Sequence, residues 1–223
     1  MKLKTALKVC LMVVIEIIFC FTPLGSIPIG PIVATLCMVP VSIAALVFGK
    51  RIGAMMGFVF AACSFIFFTF LAPAAPTAFL FTPFAESAGY KGNFFSILIC
   101  LVPRILAGIT PVLFADAMYK KNNNSYAVNS VASFVGSMTN TVLFIFLAFL
   151  FFGSELSKFA IESSIANTAT VSNIVNNAAE STSVIADKSL PLLLAITFFT
   201  NGIPEAIVCA IVCPPIVNVL KSV

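Results

Sequence analysis

The stretch FFSILICLVPRILAGITPVLFADAM, residues 94–118, carries only Arg104 and Asp116 as charges and decides the class of fold. A helix rising about 1.5 Å per residue needs about 20 apolar residues to cross the hydrocarbon of a bilayer. This run exceeds that length, and the rest of the chain repeats its character. Of 223 residues, 61% are hydrophobic and 9% charged, with a mean hydropathy of +1.13. A soluble domain has about a quarter of its residues charged, because its surface faces water. A transmembrane β-barrel alternates polar and apolar residues along each strand, and these runs do not alternate. The composition predicts an all-α integral membrane protein.

Working outward from that stretch, apolar segments cover residues 6–21, 29–48, 52–71, 94–118, 128–152 and 190–220. They predict six spans in a single transmembrane domain over residues 1–223. Only Gly49, Lys50 and Arg51 separate the second span from the third. Outer loops are expected at 22–28, 72–93 and 153–189, the second broken by Pro73, Pro76 and Pro83. Ile161, Ile165, Ile174 and Val175 recur at loosely helical spacing in the third. That segment reads either as an amphipathic helix on the bilayer surface or as a disordered loop.

Charge orients the set. Lys2, Lys4, Lys8, Lys50, Arg51, Lys120, Lys121 and Lys221 fall on one side, against Lys91, Lys158 and Lys188 on the other. The positive-inside rule places both termini in the cytoplasm, and an even number of spans agrees. Read as a cleavable signal, the first segment lacks a small-x-small site before Pro23, and its removal would leave an odd count.

Histidine is absent, and the cysteines at 10, 20, 37, 63, 100, 209 and 213 form no Cys-x-x-Cys pair. Most lie in apolar runs, where cysteine behaves as a small hydrophobe. Nothing matches a nucleotide-binding Gly-rich loop, a Gly-x-Ser-x-Gly or a His-Glu-x-x-His. No catalysis, cofactor, metal or nucleic-acid partner is expected; the lipid bilayer and a small solute are.

Ionisable groups within spans cost about 2.5–3.5 kcal/mol each on insertion scales, so each needs a reason. Glu16, Arg104 and Glu205 are such groups, and Asn140 lies at comparable depth in the fifth span. Asn201 and Glu205 are four apart and share a helix face. Asn140, Gly136 and Ser133 form a stripe beside Thr139 and Thr141. Pro103 and Pro204 precede the charged residues, and a mid-helix proline frees a backbone carbonyl, tolerated at membrane depth beside a cavity. These features predict a solute site of Arg104, Thr139, Asn140, Asn201 and Glu205. A buried Arg104–Glu205 ion pair that fixes helix packing is the competing explanation. Glu16 is assigned to structure or to a partner, and Asp116 to a pair with Lys120 at i, i+4. Gly53, Gly57 and Ala61 follow a small-xxx-small pattern that lets helix backbones approach.

At these polar motifs the chain resembles the S components, the substrate-binding subunits of energy-coupling factor vitamin transporters. Ile27-Pro28-Ile29-Gly30-Pro31-Ile32-Val33-Ala34-Thr35 is similar to that family's first outer loop and second helix. Val39-Pro40-Val41-Ser42-Ile43 and Phe48-Gly49-Lys50-Arg51-Ile52-Gly53-Ala54 continue it. Pro103-Arg104-Ile105-Leu106, Thr139-Asn140-Thr141 and Asn201-Gly202-Ile203-Pro204-Glu205 resemble the pantothenate-type subgroup. The resemblance implies an S-component bundle with a vitamin pocket open to the outside. It also implies partnership with a transmembrane T subunit and two cytoplasmic ATPases. Ala-x-x-x-Ala on the first helix often docks the T subunit in that family; the match here is Ala6-x-x-x-Cys10. Met38 stands where the family often has histidine. Other vitamins (riboflavin, folate, cobalamin) and a free-standing ion-coupled carrier are the alternatives to a pantothenate subunit.

Overall fold

The computed structural model describes residues 3–22, 26–29, 32–75, 77–87, 89–120, 124–167 and 198–222. Within them the chain is mostly helical. Helix α1 (Leu3–Phe21) turns Val9, Met12 and Glu16 inward and leaves Leu3, Leu7, Leu11 and Ile18 exposed. An outer face of large apolar side chains suits lipid, where helices gain nothing by hiding leucine.

The second span differs from the sequence expectation. Strand β1 (Ser26–Ile29) pairs antiparallel with β2 (Ile32–Thr35), with Ile29 opposite Ile32. Helix α2 begins only at Met38 and ends at Phe48. Proline fixes φ and has no N–H to donate, so Pro28 suits an edge strand better than a helix interior. The β-branched Ile32, Val33 and Thr35 favour the strand that follows. At 11 residues, α2 rises about 16 Å, short of a full crossing.

Gly49 separates α2 from α3 (Lys50–Ile66) at φ 90°, where side chains are disfavoured. Its N–H closes α2 on the Ala45 carbonyl at 2.8 Å. A π-helical turn, Phe67–Leu71, extends α3. Helix α4 (Phe94–Tyr119) contains Pro103 and Pro111. Helix α5 (Ser125–Asn167) bends at Phe152, whose φ and ψ are −128° and 23°. Residues 153–167 of the expected outer segment are therefore helical; residues 168–197, which include the start of the expected last span, lie outside the described set. A second π-helical turn, Phe198–Gly202, leads into α6 (Ile203–Ser222). Among the described residues, four stretches are long and apolar enough to cross a membrane: Lys50–Leu71, Phe94–Tyr119, Ser125–Leu156 and Ile203–Ser222.

Backbone proximity fixes how α3 meets α4. A Cβ built on Gly57 would collide with the Arg104 carbonyl, and one on Gly53 with that of Gly108. The small-xxx-small pattern is thus the contact surface that the sequence suggested, running antiparallel along α4. Ala61 joins it by accepting a hydrogen bond from the Cys100 thiol at 3.5 Å. Gly136 of α5 abuts Pro111 of α4, and Gly202 abuts Thr141, which sets α5 antiparallel to both neighbours.

Two polar clusters tie the ends. At one end the Tyr119 hydroxyl donates to Asn129 Oδ1 at 2.9 Å. There Ser125 Oγ and Asn129 Nδ2 both donate to Asn218 Oδ1, at 2.9 and 3.1 Å. At the other end, residues 72–93 fold over the bundle with a 3-10 turn, Ala78–Leu80. They continue into a small hairpin of β3 (Glu86–Ser87) and β4 (Tyr90–Lys91). Ser96, buried in the first turn of α4, donates to the Phe79 carbonyl at 2.6 Å and accepts from the Asn93 N–H. One hydroxyl thereby caps the helix and pins the loop above it.

Candidate functional site

Arg104 is 6% exposed in the middle of α4. Its Nη1 donates to the Cys100 carbonyl one turn back at 2.8 Å. Its guanidinium lies 4.8 Å from the Phe60 ring centre and 5.2 Å from that of Phe81. Phe81 comes from the covering loop and stacks on Phe68 at 4.2 Å and on Phe144 at 5.1 Å. A Thr69–Thr82 hydroxyl bond of 2.9 Å holds the loop at that point. The cation is thus boxed by aromatic faces from α3 and the loop, an arrangement that holds a buried charge through ring quadrupoles. Neither phenylalanine was legible as a site residue, because the chain holds 24 of them.

The Arg104–Glu205 ion pair, the competing explanation, is not among the ion pairs of the described residues. Among the described residues the ion pair is the exposed Lys91–Glu86 at 3.3 Å, and a carbonyl and two rings hold Arg104 instead. The Asp116–Lys120 pair is likewise not made: both residues are exposed, where long side chains gain little by pairing.

Depth can be counted from the Tyr119–Asn129–Asn218 cluster, whose members are level with one another. At about 1.5 Å per residue, Asn140 lies about 16 Å above it along α5, Glu205 about 20 Å along α6 and Arg104 about 22 Å along α4. The three groups share one layer, displaced from the middle toward the hairpin end. Pro204 sits in the first turn of α6 rather than mid-helix, where its missing N–H costs nothing. Glu205, 6% exposed, is in the same turn. The side chain of Asn201 lies outside the described residues. Thr139 gives its hydrogen to the Val135 carbonyl of its own helix at 2.7 Å, so that proton is not directed at a solute.

Arg104 Nε and Asn140 Oδ1 are buried without a protein partner in this layer, and Ser133 Oγ lies about 10 Å nearer the Tyr119 cluster along α5 in the same condition. An unsatisfied buried group costs about 1–3 kcal/mol, so the orphaned atoms of Arg104 and Asn140 are costly unless a polar guest contacts them. Ser137 is not among the residues singled out from the sequence; its spacing of four from Ser133 was the available signal. Glu16 is fully buried, facing inward from α1 rather than toward a partner. The cleft between Phe58, Phe65, Ile97 and Leu101 on the α3–α4 surface is almost wholly apolar and offers an anion nothing.

On α1, Ala6 is half-buried and Cys10 exposed, so at least Cys10 is accessible on the outer face of the helix.

A helical bundle with an apolar outer surface and a layer of buried polar groups, Arg104 and Glu205 among them, defines a multi-pass membrane protein. Residues 4–217 match the family described as the ECF transporter, substrate-specific component, and the chain belongs to that family. Over 153 residues it is 37% identical to the pantothenic acid transporter PanT of Lactococcus lactis subsp. cremoris (strain MG1363), covering 68% of this chain and 73% of that relative.

Proposed function

We propose that this chain captures pantothenate from outside the cell and delivers it to an energy-coupling module of a T subunit and two ATPases. The observation that carries the vitamin assignment is Arg104, buried between Phe60 and Phe81 and level with Asn140 and Glu205. Pantothenate offers a carboxylate for the guanidinium, an amide for Asn140 and hydroxyls for Glu205 and the α5 serines. A guanidinium grips a carboxylate through two parallel hydrogen bonds, stronger where water is excluded. The likeness to PanT supports the same vitamin. Asn201 and Thr139 complete the proposed pocket, Asn201 from the turn before α6 and Thr139 beside Asn140.

The bundle is proposed to have six crossings with both termini cytoplasmic. In support, the antiparallel packing of α3 on α4 and of α5 on α4 and α6 gathers Lys50, Arg51, Lys120 and Lys221 at one end. The half-buried Ala6 and the exposed Cys10 on α1 are then candidates for docking the T subunit, through close approach of small residues.

The test is binding against uptake. Purified protein in detergent should bind pantothenate without ATP, while proteoliposomes should accumulate it only when the energy-coupling module is co-reconstituted. ATP hydrolysis by the isolated chain, or uptake by it alone, rules the assignment out.

A further inference from the structure

We propose that Glu16, Cys20 and Cys37 form a binding site for a soft divalent cation of the zinc and cadmium class. Glu16 and Cys20 are one turn apart near the outer end of α1, and Cys37 immediately precedes α2. Their three ligand atoms all lie within 4.8 Å of one another. Cys20 Sγ is 3.5 Å from Glu16 Oε1 and 4.0 Å from Cys37 Sγ. A tetrahedral zinc ion with Zn–S of about 2.3 Å and Zn–O of about 2.1 Å sets its S···O edge at about 3.6 Å and its S···S edge at about 3.8 Å. The two Cys20 distances therefore fit one shared ion with movements of a few tenths of an ångström, and the Glu16–Cys37 edge, within 4.8 Å, would close by at most about 1.2 Å.

Charge supplies the second, independent reason. Glu16 is 0% exposed, and its Oε2 has no hydrogen-bond partner. An unpaired carboxylate is among the costliest groups to bury, and no lysine or arginine contacts this one among the described residues. Binding of M²⁺ displaces a proton from each sulfur, and one from Glu16 where its carboxyl is protonated, so the ion enters in exchange for protons. A Cys20–Cys37 disulfide would leave Glu16 unpaired, and it would need the sulfurs, 4.0 Å apart, to close to about 2.05 Å. The ligands come from α1 and from the residue ahead of α2, so an ion would clamp the base of the β1–β2 hairpin. No cysteine spacing announces the site, because Cys20 and Cys37 meet only through folding.

The probe is Cd²⁺ alone, titrated into reduced, chelator-treated full-length protein in detergent. One equivalent should raise the ultraviolet thiolate-to-cadmium absorption; Zn²⁺ should compete, whereas Mg²⁺ and Ca²⁺ should not. Cys20→Ser and Cys37→Ser should each weaken Cd²⁺ binding more than about tenfold, and Glu16→Gln should weaken it with the absorption retained. Cys209→Ala with Cys213→Ala should change neither. In wild-type protein, which requires no variant to fold, Cd²⁺ should protect Cys20 from alkylation but not the exposed Cys10. Equal alkylation of Cys20 with and without Cd²⁺, or absorption that survives Cys20→Ser with Cys37→Ser, overturns the proposal.

Discussion

Replacing Arg104 by methionine separates a binding role from a structural one. Methionine keeps the length and apolar stem of the side chain but removes the guanidinium. In the empty protein the variant loses the 2.8 Å bond to the Cys100 carbonyl and the contacts to Phe60 and Phe81. Those losses are worth about 1–3 kcal/mol. They are opposed by no longer having to bury a charge, so thermal stability should change by at most about 2 kcal/mol in either direction. Binding should respond far more. Two hydrogen bonds from a guanidinium to a carboxylate contribute about 1.5–3 kcal/mol each, which predicts at least a hundredfold loss of pantothenate affinity at about 1.4 kcal/mol per tenfold. Lysine keeps the charge but not the planar fork, and should fall between, about tenfold weaker than wild type. The assay is calorimetric titration of purified protein with pantothenate and with its primary-alcohol analogue, beside melting curves for each variant. Wild type should prefer the acid strongly, and Arg104→Met should lose that preference, which assigns the effect to the carboxylate contact. Should Arg104→Met bind pantothenate within threefold of wild type, the arginine is structural and the proposed site is misplaced.

Two glycine variants form a contrasting pair. Gly57→Ala drives a methyl into the Arg104 carbonyl; it should cost about 1–3 kcal/mol of stability and weaken pantothenate binding as well. Gly49→Ala meets no atom within 4 Å and should cost about 1–2 kcal/mol through φ alone, leaving affinity per folded molecule intact. Removing the shared acceptor with Asn218→Ala strands Ser125 and Asn129, so denaturation should report a loss of about 1–3 kcal/mol with vitamin binding unchanged. In a cysteine-depleted chain, an impermeant maleimide added to sealed cells should label a cysteine at Ser172 and not one at Asn123; the reverse pattern would invert the topology.

Much of the architecture is legible in the residues because a bilayer imposes a simple rule. Every backbone polar group must be satisfied within its own segment, so an apolar run as long as 94–118 has to be a helix. The same rule made Arg104, Asn140 and Glu205 stand out, since polar groups at that depth need a reason, and Gly53 and Gly57 announced a close crossing through spacing alone. Local chemistry overrode the apolar pattern at Ile29 and at Ile32–Thr35. Hydropathy does not register that Pro28 lacks an N–H group, and the expected helix became a β-ribbon.

What only the tertiary structure decided are the partnerships, because they join residues far apart in the chain. Arg104 and Glu205 looked like an ion pair by sign and depth. Which carboxylate or ring a guanidinium meets depends on how helices are rotated about their axes, and packing turned Arg104 onto Phe60 and Phe81 instead. Glu16, Cys20 and Cys37 came together in the same way, across a hairpin that no spacing rule describes. The sequence by itself determined which segments enter the membrane and which residues are too polar to be there without cause, because both follow from the solvation of single groups. The helix rotations and loop placement that give those residues their partners are collective properties of close packing, and only the folded bundle specifies them.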